Sequence, residues 1–167
     1  MNRVVQLKTS GRIVLGLLLS VVSASAVEEK PLPVFSVTNS AGVPVASTAL
    51  TEVHQYVLLY LVPGCRPCDR LLASLNDPES PQLPRRVVIV VRGDSTRAAK
   101  YIHDHVPPEA VDVRWYADVN DSAYRALQFT GTPDLLGVRD GRLMWSINGV
   151  LNDSTMVHEV MRKWTTY

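Results

Sequence analysis

The stretch VLLYLVPGCRPCDRLLASL (Val57–Leu75) contains both cysteines of this 167-residue chain, three positions apart. Its first six residues, Val57–Val62, are apolar throughout, which predicts a central β-strand covered on both faces. Pro63 and Gly64 end this strand, and leucines then recur at helical spacing from Cys65 onward. The pattern predicts a cysteine pair at the point where a buried strand passes into a helix.

The N-terminus of that helix predicts different chemistry for the two cysteines. Free backbone N–H groups and the helix dipole stabilise a thiolate at this point, so we expect a lowered pKa for the Cys65 thiol. Arg66 adds a positive charge beside it, and Pro67 is tolerated in the first turn because its missing N–H breaks no helical bond. We expect Cys65 to attack a substrate disulfide and Cys68, one turn further on, to resolve the mixed disulfide.

Two alternatives fit the cysteine pair less well. A zinc site would need two more ligands, and His103 and His105 stand two positions apart on a predicted helix, where they would point to nearly opposite sides. We expect both histidines to be solvated on a surface helix, and we assign no metal ligand. A purely structural disulfide is also disfavoured, because so short a loop removes little chain entropy.

The first 26 residues predict a secretory signal peptide. Met1–Arg12 carries bases and no acid, Ile13–Val22 is apolar, and Ala24–Ala26 offers a small-x-small cleavage site. The apolar run is shorter than the ~18 residues that an anchor needs to span a membrane. We expect cleavage after Ala26 and a soluble periplasmic or otherwise exported protein, which would be membrane-anchored only if the signal is not cleaved.

The remaining residues, 27–167, are enough for one domain with its own core. Three of the 17 Lys and Arg lie in the first 26 residues, which leaves 14 bases against 16 Asp and Glu. This balance argues against a nucleic-acid partner, which would need a basic patch or stripe. We expect a single, monomeric domain.

Strand and helix patterns alternate along this domain. The expected N-terminal elements are short strands over Val34–Thr38 and Val43–Val45, the second restricted to a sheet edge by Pro44. A strand is expected over Val87–Val91, followed by a helix that is capped by Asp94 or Ser95 and has Ala98, Ala99 and Ile102 facing inward. A strand over Val111–Tyr116 and a short helix from Asp121 or Ser122 to Leu127 come next. The last elements are strands over Leu135–Val138 and Leu143–Ile147 around an Asp140–Gly141 turn, and a helix capped by Asn152 or Asp153 that runs through Trp164. This order predicts an α/β fold with parallel pairing first and antiparallel pairing later.

A Cys-x-x-Cys at the strand-to-helix junction of a βαβ pattern is typical of a thioredoxin-like redox motif. The chain resembles the TlpA/ResA-like branch of the thioredoxin superfamily over nearly all of 27–167. The segments that carry the resemblance are Pro33–Val45, Val57–Tyr60, Cys65–Cys68, Trp115–Asp118, Tyr124–Pro133, Arg139–Gly141 and Gly149. It implies a thioredoxin-like fold, with a central mixed sheet flanked by helices and an N-terminal strand or hairpin extension.

The resemblance also implies a function, that of an exported thiol–disulfide oxidoreductase with the Cys65–Cys68 disulfide as its redox group and no other cofactor. Protein or peptide disulfides and thiols would be the substrates, and a membrane electron donor would keep the pair reduced for tasks such as cytochrome c maturation. Pro133 would form a cis bond beside the cysteines, with the backbone of Thr132 pairing to substrate. Gly64 stands where thioredoxins carry a groove-lining Trp.

Some features leave alternatives open. Thioredoxin keeps a buried acid where this chain has Leu59, so the group that takes the proton from Cys68 is not identified; Asp69 is adjacent but expected to be exposed. Arg66 favours an oxidant, whereas Pro67 and Thr132 resemble the reducing side of the superfamily.

A disulfide oxidant or isomerase in protein folding is therefore one alternative function. A non-catalytic copper-handling or binding module on the same fold is another. His158 could serve such a module as a distant ligand, but the copper-binding relatives space their cysteines one residue wider. A peroxiredoxin is disfavoured, because Leu58 and Val62 occupy the positions of its motif Pro and Thr.

Overall fold

The computed structural model of the chain describes residues 29–75, 86–106, 113–149 and 154–165. The expected signal peptide and the expected caps Asn152 and Asp153 lie outside these residues. The strands are β1 Lys30–Pro31, β2 Ser36–Thr38, β3 Pro44–Ala46, β4 Gln55–Leu61, β5 Val87–Arg92, β6 Arg114–Asp118, β7 Asp134–Arg139 and β8 Arg142–Asn148. The helices are α1 Arg66–Leu75, α2 Ser95–His105, α3 Ser122–Leu127 and α4 Ser154–Thr165, and a 3-10 turn spans Ser47–Ala49.

The strands described form one mixed sheet in the order β1-β8-β7-β4-β5-β6-β2-β3. Strands β4, β5 and β6 run parallel, while β7 is antiparallel to both β4 and β8. This confirms the predicted fold class and the change from parallel to antiparallel pairing. Because parallel strands end at the same edge of a sheet, the carboxyl ends of β4, β5 and β6 lie together, and the cysteine pair follows β4 at that edge.

Apolar cores cover both faces of the sheet, which explains why β4 is buried at every position. Leu59 and Leu61 face the core shared with α1, α2 and α4. Leu58 and Tyr60 face the opposite core, which α3 shares with the N-terminal hairpin β2–β3. Full burial of a leucine stabilises the fold by roughly 2 kcal/mol relative to exposure. None of the helices in the described ranges is long and apolar enough to cross a membrane.

Local signals set several boundaries as predicted. The Asp94 carboxylate caps α2 by accepting a hydrogen bond from the Arg97 N–H at 2.8 Å. Asp140 and Gly141 join β7 to β8 with φ angles of 49° and 69°, the left-handed pair that a tight hairpin turn requires. Strand β3 lies at the sheet edge, as Pro44 predicted.

The N-terminal strands begin at other residues than predicted, because their boundaries depend on pairing with strands that are distant in the sequence. Strand β2 begins at Ser36, and Val34 is 79% exposed. Strand β1 has no local strand pattern; it forms because Lys30 pairs with β8, where the Arg142 side chain also donates to the carbonyl oxygen of Glu29 at 2.8 Å.

Two predictions in the middle of the chain were also wrong in detail. Strand β6 continues to Asp118, beyond the predicted end at Tyr116, because pairing with β5 extends to Arg92. Ala99 is exposed rather than inward-facing, since the inner face of α2 follows Ala98 and Ile102 with Tyr101 between them.

Candidate active site

Cys65 and Cys68 form a disulfide at the start of α1, with their Cα atoms 5.3 Å apart. The Cys68 N–H lies 3.3 Å from Cys65 Sγ and donates to it. Cys65 is half-buried whereas Cys68 is fully buried. The sulfur that a partner can reach is therefore that of Cys65, and a helix N–H already points at it.

A tight turn delivers Cys65 from the end of β4 to the start of α1. The Cys65 N–H donates to the carbonyl oxygen of Val62 at 3.1 Å. Gly64 takes φ +82° in this turn, and an added Cβ would meet no atom within 4 Å. Glycine is thus favoured by backbone conformation rather than by lack of space. Arg66 is exposed and Pro67 is half-buried in the first turn of the helix.

A second segment, 67 positions further along the chain, meets the same sulfur. Thr132 Oγ1 donates to Cys65 Sγ at 3.4 Å, and the carbonyl oxygen of Thr132 lies 3.7 Å from that sulfur. The Thr132–Pro133 bond is cis, as the resemblance implied. The carbonyl oxygen of Pro133 accepts a hydrogen bond from the Gly149 N–H at 3.0 Å, which ties the segment to the end of β8.

Asp134, the first residue of β7, is a feature of this region that the sequence analysis did not assign. Its side chain is 0% exposed, and neither carboxyl oxygen has a hydrogen-bond partner among the described residues. Burial raises the pKa of Asp134 to about 7. The sequence does contain one sign of a buried acid here, because Asp134 stands directly between Pro133 and the apolar run Leu135–Val138.

The side chains of Asp69 and His105 lie at the contact between α1 and α2. Asp69 Oδ1 accepts a hydrogen bond from the Tyr101 hydroxyl at 2.9 Å. His105 Nε2 lies 3.9 Å from the same oxygen, and its Nδ1 lies 2.9 Å from the carbonyl oxygen of Tyr101. The predictions of an exposed Asp69 and a solvated His105 were therefore wrong, because helix packing half-buries both side chains. His103 is exposed, as expected.

The three tryptophans pack against the core beneath α1, α2 and α4. Trp145 lies across Gly137, where an added Cβ would come within 2.1 Å of the indole ring, and Trp164 meets Trp145 edge-on. No group of three or more His, Cys, Asp or Glu side chains within the described ranges is placed to hold a metal ion. The side chain of His158 lies outside the part that is described.

No protein-family model matches the sequence, and a search of curated proteins finds no match. Solved structures do match. A secreted disulfide oxidoreductase of Mycobacterium tuberculosis, homologous to E. coli DsbE, is 15% identical with a TM-score of 0.56 over 77% of this chain and 95% of that one. DsbF of MTB is 16% identical with a TM-score of 0.58, over 78% and 95% of the two chains.

A third match is a thiol:disulfide interchange protein of the thioredoxin family from Chlorobium tepidum TLS. It is 15% identical, with a TM-score of 0.54 over 81% of this chain and 96% of that one. These likenesses establish the architecture around the Cys65–Cys68 disulfide. The chain has the thioredoxin-like fold, as the resemblance to the TlpA/ResA-like branch implied.

Proposed function

We propose that the protein is an exported thiol–disulfide oxidoreductase that exchanges the Cys65–Cys68 disulfide with thiols and disulfides of other proteins or peptides. The observation that carries this proposal is the asymmetry of the pair. Cys65 is accessible, lies at a helix N-terminus and is contacted by Thr132, whereas Cys68 is buried one turn away. The solved structures of similar fold include thiol:disulfide interchange proteins, which supports the same reaction.

In the reducing direction, the Cys65 thiolate attacks one sulfur of a substrate disulfide. The substrate S–S bond breaks, one substrate thiolate leaves, and a mixed disulfide forms on Cys65. Cys68 then attacks Cys65 Sγ after losing its proton, and the second substrate sulfur leaves. Two electrons pass to the substrate, and the pair ends as the Cys65–Cys68 disulfide.

Substrate binding is assigned to the surface around Cys65. We propose that an extended substrate segment lies against Gly64 and the cis bond before Pro133, with its backbone pairing to Thr132. The open space beside Gly64 is compatible with a chain passing there. The redox group is the disulfide itself, and no other cofactor is assigned.

For the physiological direction, we propose a reductase supplied by a membrane electron donor, with cytochrome c maturation as an example of its task. The resemblance of Pro67 and Thr132 to the reducing branch supports this direction. One observation favours an oxidant instead, since donors to Cys65 Sγ from Cys68 and Thr132 stabilise the thiolate, and a stabilised reduced form makes a stronger oxidant.

We also propose that residues 1–26 act as a cleaved signal and that residues 27–167 form a single monomeric domain exported to the periplasm or beyond. The three-part pattern of the first 26 residues supports this, as do solved structures of similar fold that include a secreted disulfide oxidoreductase.

Paired serine variants test the exchange reaction. Cys65→Ser is expected to abolish disulfide exchange with a model peptide, whereas Cys68→Ser is expected to accumulate mixed disulfides, visible as thiol-sensitive adducts on gels. Each variant is the matched control for the other, because each removes one sulfur of the same pair. Normal turnover by Cys68→Ser would show that the two-cysteine mechanism is wrong.

Equilibration of residues 27–167 in glutathione buffers, followed by trapping of free thiols, decides the direction. A potential of roughly −270 mV is that of a thioredoxin-like reductase, and one of roughly −120 mV is that of a strong oxidant.

A further inference from the structure

Two arginines lie beside the accessible sulfur, on the first two turns of α1. Arg66 directly follows Cys65, and Arg70 is four residues further along the helix. Residues four apart lie on the same face of a helix. Both arginines are exposed, whereas Cys68 and Leu72 face the core. The solvent-facing side of α1 therefore presents two positive charges next to the sulfur that a substrate reaches.

These two guanidinium groups have no ion pair or side-chain hydrogen bond within the described part of the chain. Exposed bases elsewhere on the surface do pair with acids. Lys100 lies 2.7 Å from Asp104, and Lys163 lies 2.6 Å from Glu159. Since the guanidinium groups beside the sulfur have no such partner, their charge is available to a bound molecule.

The acid of the same helix is bound to α2 instead. Asp69 Oδ1 accepts a hydrogen bond from the Tyr101 hydroxyl at 2.9 Å. On α2 itself, the exposed Arg97 is accompanied by Asp94, whose carboxylate caps that helix. The other wall of the proposed substrate surface is neutral, because residues 128–133 include no charged side chain. The unbalanced positive charge around the redox sulfur is therefore that of the α1 arginines.

We propose that Arg66 and Arg70 select substrates in which acidic residues flank the reactive cysteine. The inference rests on the proposed exchange function and names a substrate class for it. When the substrate sulfur reaches Cys65, a carboxylate next to it comes within reach of the solvent-facing side of α1. Arginine suits this role because its fork of N–H groups matches the two oxygens of a carboxylate.

The overall charge of the protein predicts the opposite preference. Residues 27–167 carry 14 Lys and Arg against 16 Asp and Glu, so the net charge is negative and long-range attraction favours a basic substrate. A preference for acidic substrates must then arise from charges close to the cysteine pair. The sign of the preference thus distinguishes the local arginines from the field of the whole protein.

Exchange kinetics of the reduced, exported protein with matched peptide disulfides test this specificity. Three peptides share one disulfide, and the residues beside its cysteines are Asp, Asn or Lys. Attack by the Cys65 thiolate joins one peptide cysteine to Cys65 and releases the other as a thiolate. Each rate constant is divided by that of β-mercaptoethanol with the same peptide, which removes the intrinsic reactivity of the peptide.

The ratio of the corrected rates for the Asp and Lys peptides measures recognition. At ~10 mM salt the Asp peptide should react roughly tenfold faster, and at ~1 M salt the ratio should fall below ~2, because the screening length shrinks from about 30 Å to about 3 Å. Arg66→Gln and Arg70→Gln should each lower the low-salt ratio by roughly two- to fivefold, the range for exposed charge pairs. A changed reactivity of the Cys65 thiolate would alter all three rates together and leave the ratio unchanged.

Arg162→Gln is the matched control. Arg162 is exposed in the last turn of α4, and this end of the helix lies beside the start of β4, where the Gln55 side chain donates to the carbonyl oxygen of Trp164. The variant loses the same charge at the opposite edge of the sheet and should keep the wild-type ratio.

The inference is overturned if wild type shows no preference for the Asp peptide, if both arginine variants of α1 keep that preference in full, or if the control variant loses it equally. Exchange with all three peptides at equal corrected rates refutes the selection of acidic substrates alone. A wild-type protein that exchanges with none of the peptides refutes the proposed function, and this inference with it.

Discussion

Asp118 and Asp134 lie at the same edge of one sheet and are both fully buried, yet their surroundings differ in kind. Asp118 ends β6 and accepts hydrogen bonds from the Tyr60 hydroxyl and the first N–H groups of α3. Asp134 begins β7 beside the segment that touches Cys65, and neither of its oxygens has a partner among the described residues. The difference teaches that burial alone does not define the role of a carboxyl in the fold; the elements that pack beside it decide whether it finds hydrogen-bond donors.

Among the substitutions that test this comparison, replacement of Asp118 is expected to change the stability of the fold most. Asp118→Ala leaves the Tyr60 hydroxyl and the N–H groups of Ala123 and Tyr124 without their acceptor. Each unsatisfied buried donor costs about 1–3 kcal/mol, so we expect the free energy of unfolding to fall by about 4 kcal/mol at neutral pH. Urea denaturation of the oxidised protein measures this loss. A loss below ~1 kcal/mol would mean that these hydrogen bonds do not hold α3 on the sheet.

How much of the surroundings of Asp118 and Asp134 can be predicted from the sequence depends on how far apart in the chain the contacting residues lie. Local patterns were sufficient for the buried strand β4, for the cysteines at the start of α1 and for the Asp140–Gly141 turn. The approach of Thr132 to Cys65 came only from the family resemblance, since 67 positions separate them. Whether a buried acid finds donors depends on which elements pack beside it, and no local pattern distinguishes Asp118 from Asp134.

The two histidines of α2 also show that contacts between helices could not be predicted from local patterns. The structure leaves His103 exposed, as the sequence predicted, but half-buries His105 on the same helix. The local pattern did not predict that α1 packs against α2 and brings Asp69 within 3.9 Å of His105 Nε2.

The next effect in size comes from Asp134 and depends on pH. Its pKa is raised from 3.8 to about 7 in the folded protein, so between these values the folded state holds more protons than the unfolded state. The stabilisation is full below the unfolded-state value and is lost as pH rises through the folded-state value. Between ~pH 5 and ~pH 9 the free energy of unfolding should therefore fall by on the order of 3 kcal/mol, because about two pH units of this window lie above ~pH 5, at about 1.36 kcal/mol per unit.

Asp134→Asn removes this pH dependence, because an amide does not titrate in the window. The difference in unfolding free energy between variant and wild type should shift by ~3 kcal/mol in favour of the variant from ~pH 5 to ~pH 9. Urea denaturation at each pH, with the disulfide intact, measures the shift, and Asp140→Asn serves as the exposed control. A constant difference across this range would mean that Asp134 has found a hydrogen-bond partner and belongs with Asp118.

The smallest effect comes from Tyr60, which stands between the two carboxyl groups. Its side chain donates to Asp118, and its backbone pairs with β7 at Asp134. Tyr60→Phe removes one hydrogen bond to a charged acceptor and should lower the free energy of unfolding by about 1.5 kcal/mol. Because the hydroxyl serves Asp118 rather than Asp134, that loss should be the same at ~pH 5 and ~pH 9, with the pH dependence due to Asp134 unchanged. A loss that varied across this range would place the Tyr60 hydroxyl in contact with both carboxyl groups, and the two buried acids would then form one coupled network.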